Sequence, residues 1–166
     1  MLPNITNPLL SFLISEKEAL IAEWNENLLV SEDDPYKVKI NKNADEMYDV
    51  ILAVFSNANK DLDEQIQKIA FIVGEERVRS DINIGDFVFN VNSGRSVIYR
   101  HLYKLNMSWS DLQLTINDIN YCFDTFLYYA VSYYNEQKNK VIEEKNQFID
   151  STHKDRLTLL GQMTSS

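Results

Sequence analysis

Ser108-Trp-Ser-Asp-Leu-Gln-Leu-Thr-Ile-Asn-Asp-Ile-Asn-Tyr-Cys-Phe-Asp-Thr-Phe-Leu-Tyr-Tyr-Ala-Val-Ser-Tyr133 decides the fold class of this chain. Leu112, Ile116, Ile119, Phe123, Phe126, Ala130 and Tyr133 recur in alternating steps of four and three, which keeps one face of a helix apolar. Ser108 and Asp111 make a capping-box start, with Asp in place of the usual Glu. Neither Gly nor Pro interrupts from there to Gly161, so the spacing predicts one long helix running into the end of the chain. In its last part Ile142, Asn146, Ile149, His153, Arg156, Leu160 and Met163 keep the same stepping. Three of those seven positions are polar, so any coiled coil there is weak on its own.

Working backwards, four further helices are expected. Asn7-Pro8 opens the first, with Leu13, Leu20, Ile21, Trp24 and Leu28 on one side, running to about Leu29 and into the acidic loop Ser31-Glu-Asp-Asp34. Asp34-Pro35 repeats the start signal, and Met47, Ile51, Val54 and Ala58 form the second stripe. Asp61 opens the third helix, with Leu62, Ile66, Ile69 and Val73 inward and an end near Ser80. Asp81 opens the fourth, with Ile84, Phe87, Val91, Ile98, Leu102 and Leu105 on one side. Gly85 and Gly94 lie inside it and predict a kink, a break or a close helix crossing. With only 4 Gly and 3 Pro in 166 residues the chain lacks the turn residues of a strand-rich domain, so the fold class is all-α.

A net charge of −9, with no basic run, repels a phosphate backbone and excludes nucleic acid as a partner. Cys122 is alone, which leaves no disulfide framework and no cysteine-based zinc site. The apolar run Leu9-Leu-Ser-Phe-Leu-Ile14 is too short for a signal peptide or a membrane span. A cytoplasmic protein is expected.

Catalytic motifs are missing: no Gly-rich phosphate loop, no His-Glu-x-x-His, no Gly-x-Ser-x-Gly, and carboxylates at solvated helical positions such as Glu16, Glu18 and Glu143-Glu144. The chain reads as a non-enzyme. Arg95 falls between Val91 and Ile98 on the apolar side of its helix and needs an anion there, either a ligand carboxylate or an internal Asp or Glu. His101 borders the same face, as a half-buried structural histidine or as the axial ligand of a haem. The aromatic run Tyr121, Phe123, Phe126, Tyr128, Tyr129, Tyr133 and Tyr134 marks core plus a dimer interface, or an elongated apolar cavity.

Asp155-Arg-Leu-Thr-Leu-Leu-Gly-Gln-Met163 resembles the segment just before the phosphoacceptor histidine of sensor histidine kinases, although the His-Glu pair and Arg-Asn-Pro that follow in those kinases are absent before Ser166. Together with Leu10-x-x-Leu13…Trp24 and Gly85-Asp-Phe-Val-Phe-Asn-Val-Asn-Ser-Gly-Arg-Ser-Val-Ile-Tyr-Arg-His-Leu102, it resembles the amino-terminal sensor domain of sporulation histidine kinases, and most of all the free-standing, sporulation-inhibitory form of that domain. The resemblance implies a globin-like, non-haem sensor domain over residues 1–150 and a helical tail over 151–166. It also implies a homodimer, a fatty-acid-like ligand in an apolar tunnel with a chloride ion as its optional companion, and inhibition of sporulation by drawing signal from a kinase. Two alternatives stay open: a haem-binding globin sensor, and a ligand-free dimerisation module excised from a kinase.

The expected ligand site lies between the fourth and fifth helices. Phe87, Val91, Ile98, Phe123, Phe126 and Leu127 would line the acyl chain. Arg95 would hold the carboxylate, Tyr121 or His101 would donate hydrogen bonds, and Arg77 and Arg100 are reserve cations. The expected homodimer is joined chiefly through the long fifth helix.

Overall fold

The computed structural model describes residues 8–30, 37–56 and 62–165. Its elements are α1 (Pro8–Ser15), α2 (Lys17–Glu26), α3 (Lys37–Phe55), α4 (Leu62–Arg79), α5 (Ile84–His101), a 3₁₀ turn (Leu102–Lys104) and α6 (Trp109–Thr164). No strand occurs among the described residues, and the all-α reading with a long C-terminal helix holds. The start signals at Asn7, Asp34-Pro35 and Asp61, the acidic loop, and Ala58 of the second stripe lie outside the described residues.

The first helix is two rather than one. Ser15 donates its hydroxyl to the Phe12 carbonyl at 3.0 Å, a local bond that competes with the helical ladder and bends the chain at Glu16. The bend lets Leu9, Phe12 and Leu13 of α1 and Leu20 and Trp24 of α2 reach the same core. Tyr48, fully buried in α3, donates to the Leu13 carbonyl at 2.8 Å and fixes the end of α1 against α3.

The fourth helix begins at Ile84 rather than Asp81, because Asn83 is its cap and accepts from the Gly85 amide at 2.7 Å. Asp81 instead closes α4. It sits at φ 52°, with its own amide bonded to the Val78 carbonyl and the Ile82 amide bonded to the Arg77 carbonyl. Those two bonds make a Schellman end with Asp in the left-handed position usually given to Gly.

Neither glycine of α5 breaks it. Gly94 is a crossing point: a Cβ there would stand 2.2 Å from the Trp24 ring. Trp24 lies across it, donates its indole N–H to the Asn90 carbonyl at 2.7 Å, and packs 6.2 Å from the Phe123 ring. Gly74 plays the same part for α4 and α6, with the Ala130 carbonyl 3.0 Å from where a Cβ would be.

α6 is continuous over 56 residues, and its cap is the one read from sequence: Ser108 accepts from the Asp111 amide at 3.2 Å. Thr115, Ile119, Cys122, Phe123, Phe126, Ala130 and Tyr134 are buried within the chain, and beyond Tyr134 no residue of the helix is. The helix therefore leaves the body at Tyr134 and runs on through residues 150 and 151 without a break.

Candidate functional site

Where α2, α3, α4, α5 and α6 meet, they leave a cavity of about 350 Å³. That lies near the lower end of the range typical of small-molecule pockets, roughly 300–1,000 Å³. Its walls follow from the stripes already described. α3 turns Ala44 and Met47 inward and α4 turns Val73, while α5 contributes Phe87 and Val91 and α6 contributes Phe126. Trp24, with Leu28 and Leu29 beyond α2, closes another side.

The polar lining has a pattern. Arg77 is the cation of the lining, and it is only 5% exposed. It continues the inward stripe of α4 one step of four beyond Val73. Asn43 donates to Glu76 at 3.0 Å, while Asn90 accepts from the Leu29 amide at 2.6 Å and donates to its carbonyl at 3.0 Å. The second pair holds the chain after α2 against α5. The turn Ser80–Asn83 forms a further side, and the exposed acids Asp81 and Asp86 belong to the lining as well.

Of the nine expected site residues, the cavity brings together Phe87, Val91 and Phe126. Ile98 and Phe123 are core residues outside it, and Leu127 packs half-buried against that core. Arg95 also lies elsewhere, and its anion is internal. Its guanidinium donates to Asp124 at 2.7 Å, to Asn120 at 3.1 Å and to Asn92, with the Phe123 ring beneath it at 5.7 Å. His101 points to α2, where its Nε2 meets the Glu23 carboxylate at 2.6 Å. Arg100 reaches the same carboxylate at 2.8 Å. That neighbourhood, the His101 hydrogen bond first and the Arg100 charge after it, holds the Glu23 carboxyl below its ordinary 4.5 against the opposing effect of burial. Tyr121 is exposed and bonds Asp63.

Trp24, Leu28, Met47 and Val73 line the cavity although their sequence pattern marks them only as inward-facing core residues. Arg77 stood in reserve. Its position on the α4 stripe was the available signal: a cation one step beyond a run of inward residues.

No group of three or more potential metal ligands occurs among the described residues. Cys122 is fully buried, and burial pushes its thiol up to about 12, so it stays protonated and is no nucleophile. Among the described residues no helix is long and apolar enough to cross a membrane.

Residues 6–136 match the family model described as the histidine kinase N-terminal region. An uncharacterised protein of Bacillus anthracis, pXO2-61, is 30% identical over 129 residues, which cover 76% of this chain and 92% of that protein. The crystal structure of the sporulation inhibitor pXO2-61 from Bacillus anthracis superposes with a TM-score of 0.73 at 28% identity, covering 78% of this chain and 97% of that one.

Proposed function

The chain belongs to the histidine kinase N-terminal family, and from that premise we propose that it is a non-catalytic sensor domain whose cavity takes a fatty-acid-like amphiphile. Its role, on this reading, is to restrain sporulation by withdrawing that signal from a sensor kinase, as the inhibitor named for its relative suggests. The observation that carries the proposal is the pairing of an apolar cavity with one buried guanidinium in its wall. Each buried methylene contributes about 0.8 kcal/mol, so an acyl chain gains affinity from Met47, Val73, Phe87, Val91 and Phe126 without polar partners. The carboxylate alone requires a cation. Arg77 takes that role in place of Arg95 because it belongs to the wall of the cavity, whereas Arg95 lies outside it.

The homodimer belongs to the same reading, with its surface moved. Ile119, Phe123, Phe126 and Ala130 are spent on the chain's own core. Among the apolar residues that stay exposed on α6, Leu114, Tyr121 and Tyr128 stand one heptad apart, and Ile142, Ile149 and Met163 follow in the same phase. Phe71 and Ile72 of α4 are exposed as well, and Phe71 packs on Tyr129 and Tyr133 beside that stripe.

The test is an organic extract of the purified protein read by mass spectrometry, followed by titration of stripped protein with palmitate. Wild type carries or takes up the lipid. Arg77→Ala weakens uptake by about tenfold or more, as loss of a charge-assisted bond implies, whereas Arg95→Ala leaves it within about twofold. Absence of lipid from the extract, together with no uptake on titration, rejects the ligand. A stoichiometric Soret band would return the assignment to a haem sensor.

A further inference from the structure

The turn that forms one side of the cavity is also fastened to α6, at the place where α6 leaves the body. All four residues Ser80, Asp81, Ile82 and Asn83 line the cavity. From the other side, Tyr134 donates its hydroxyl to the Ile82 carbonyl at 3.0 Å, and Lys138 pairs with the Asp81 carboxylate. Lys138 also stands over the Tyr134 ring at 5.8 Å. Tyr134 is the last buried residue of the helix, and Lys138 one turn on is among the last half-buried ones. The attachment therefore falls at the root of the exposed segment.

Asp81 gives a second, independent reason to read this turn as built for attachment. The left-handed end of α4 suits Gly, and an Asp there is tolerated rather than favoured. A carboxylate at that position gains what Gly cannot supply, a partner for Lys138. The exposed ion pair contributes little by itself. The part-buried Tyr134–Ile82 bond holds the link, and the ion pair sets its register.

We propose that the Ser80–Asn83 turn is a clasp that transmits the occupancy of the cavity to the root of the exposed part of α6. This rests on the reading that the cavity takes an amphiphile. A ligand that displaces the turn moves the Ile82 carbonyl and the Asp81 carboxylate, and Tyr134 and Lys138 move with them. The rival route is direct pressure on Phe126, which also lines the cavity but lies two turns earlier, where α6 is held on both sides by α4 and α5.

Hydrogen exchange on the full chain tests the clasp in two arms. Without ligand, Tyr134→Phe keeps the buried ring and removes only the hydroxyl. Exchange of the Ile82 amide, which is bonded to Arg77 and not to Tyr134, then speeds by about threefold or more, while Tyr129→Phe leaves it unchanged. In the second arm palmitate is added. Wild type shows a ligand-dependent change across residues 134–146, and the variant carrying Tyr134→Phe and Lys138→Met, neither of which lines the cavity, binds palmitate within about twofold of wild type but lacks that change. Unaltered Ile82 exchange in the first arm overturns the clasp, and so does a double variant that still responds. Failure of wild type to bind palmitate rejects the ligand reading instead, and leaves the first arm to decide whether turn and helix are coupled.

Discussion

α6 is one helix with two fates. From Thr115 to Tyr134 its inward residues are buried by α3, α4 and α5, while from Asn135 to Thr164 the same four-and-three stepping faces solvent. Both halves read alike in sequence up to the seam residues. In the body these are Ile119, Phe123, Phe126 and Ala130; in the tail Asn146, His153 and Arg156 interrupt Ile142, Ile149, Leu160 and Met163. The contrast shows what periodicity carries. It fixes that a segment is helical and which side is apolar, and the share of polar residues on that side separates a face that must be buried from one that tolerates water.

The sharpest break between the halves is a large-to-small pair. Phe123→Ala removes a fully buried ring packed under Trp24 and should cost about 3–5 kcal/mol by chemical denaturation. Phe148→Ala, at 72% exposure, should leave the unfolding midpoint of the body within error and register only in self-association, measured by sedimentation.

Glycine gives the next contrast, with opposite signs. Gly94→Ala drives a methyl into the Trp24 indole and should destabilise by about 1–3 kcal/mol, with loss of the near-ultraviolet signature of that ring. Gly161→Ala meets nothing within 4 Å and should strengthen the tail helix by about 1 kcal/mol, seen as slower amide exchange around residue 161. A stabilised Gly94→Ala would mean that α2 does not cross α5 as described.

The smallest effect is acid sensitivity confined to the body. Glu23 has a folded pKa below 4.5, so its bonds to His101 and Arg100 contribute stability above about pH 4.5, and lose it as pH falls through the depressed value. The difference in melting temperature between wild type and Glu23→Gln should therefore shrink on acidification. Among the described residues the tail's ion pairs, Glu136–Lys140 and the Lys138–Asp81 pair to the body, lie at its base, and a chain ending at residue 140 keeps both and should show the same acid profile. A tail-dependent profile would mean that the two halves are not energetically separate.

How much of this was legible in the sequence follows from the range of each interaction. The Ser108 cap, the unbroken α6 and the inward stripe of α4 rest on residues within one or two turns of each other, and they were readable. The crossing at Gly94 was half readable: an interior Gly signals close approach, but the ring that approaches comes from α2, some seventy positions earlier. The cavity was not readable, because it needs Met47, Val73, Phe87 and Phe126 from four helices, and nothing in a stripe says which stripe it will face. Arg95 shows the same gap. Its place beside an apolar face called for an anion, and the answer was Asp124 on the neighbouring helix rather than a ligand. Asp81 was misread as a start because Asp at a boundary more often caps the next helix than ends the last one, and only its backbone angle reveals the difference.

The exposed part of α6 is also a lever. At about 1.5 Å per residue, 135–164 stands about 45 Å clear of its root. A tilt of about 5° at that root swings the tip by about 4 Å, roughly three-quarters of one helical turn's rise. A displacement at Tyr134 too small to disturb the packing of Phe126 or Ala130 would thus reach Leu160 and Met163 as a shift of several ångström, so the length of the rod sets how far a small movement at its root is amplified.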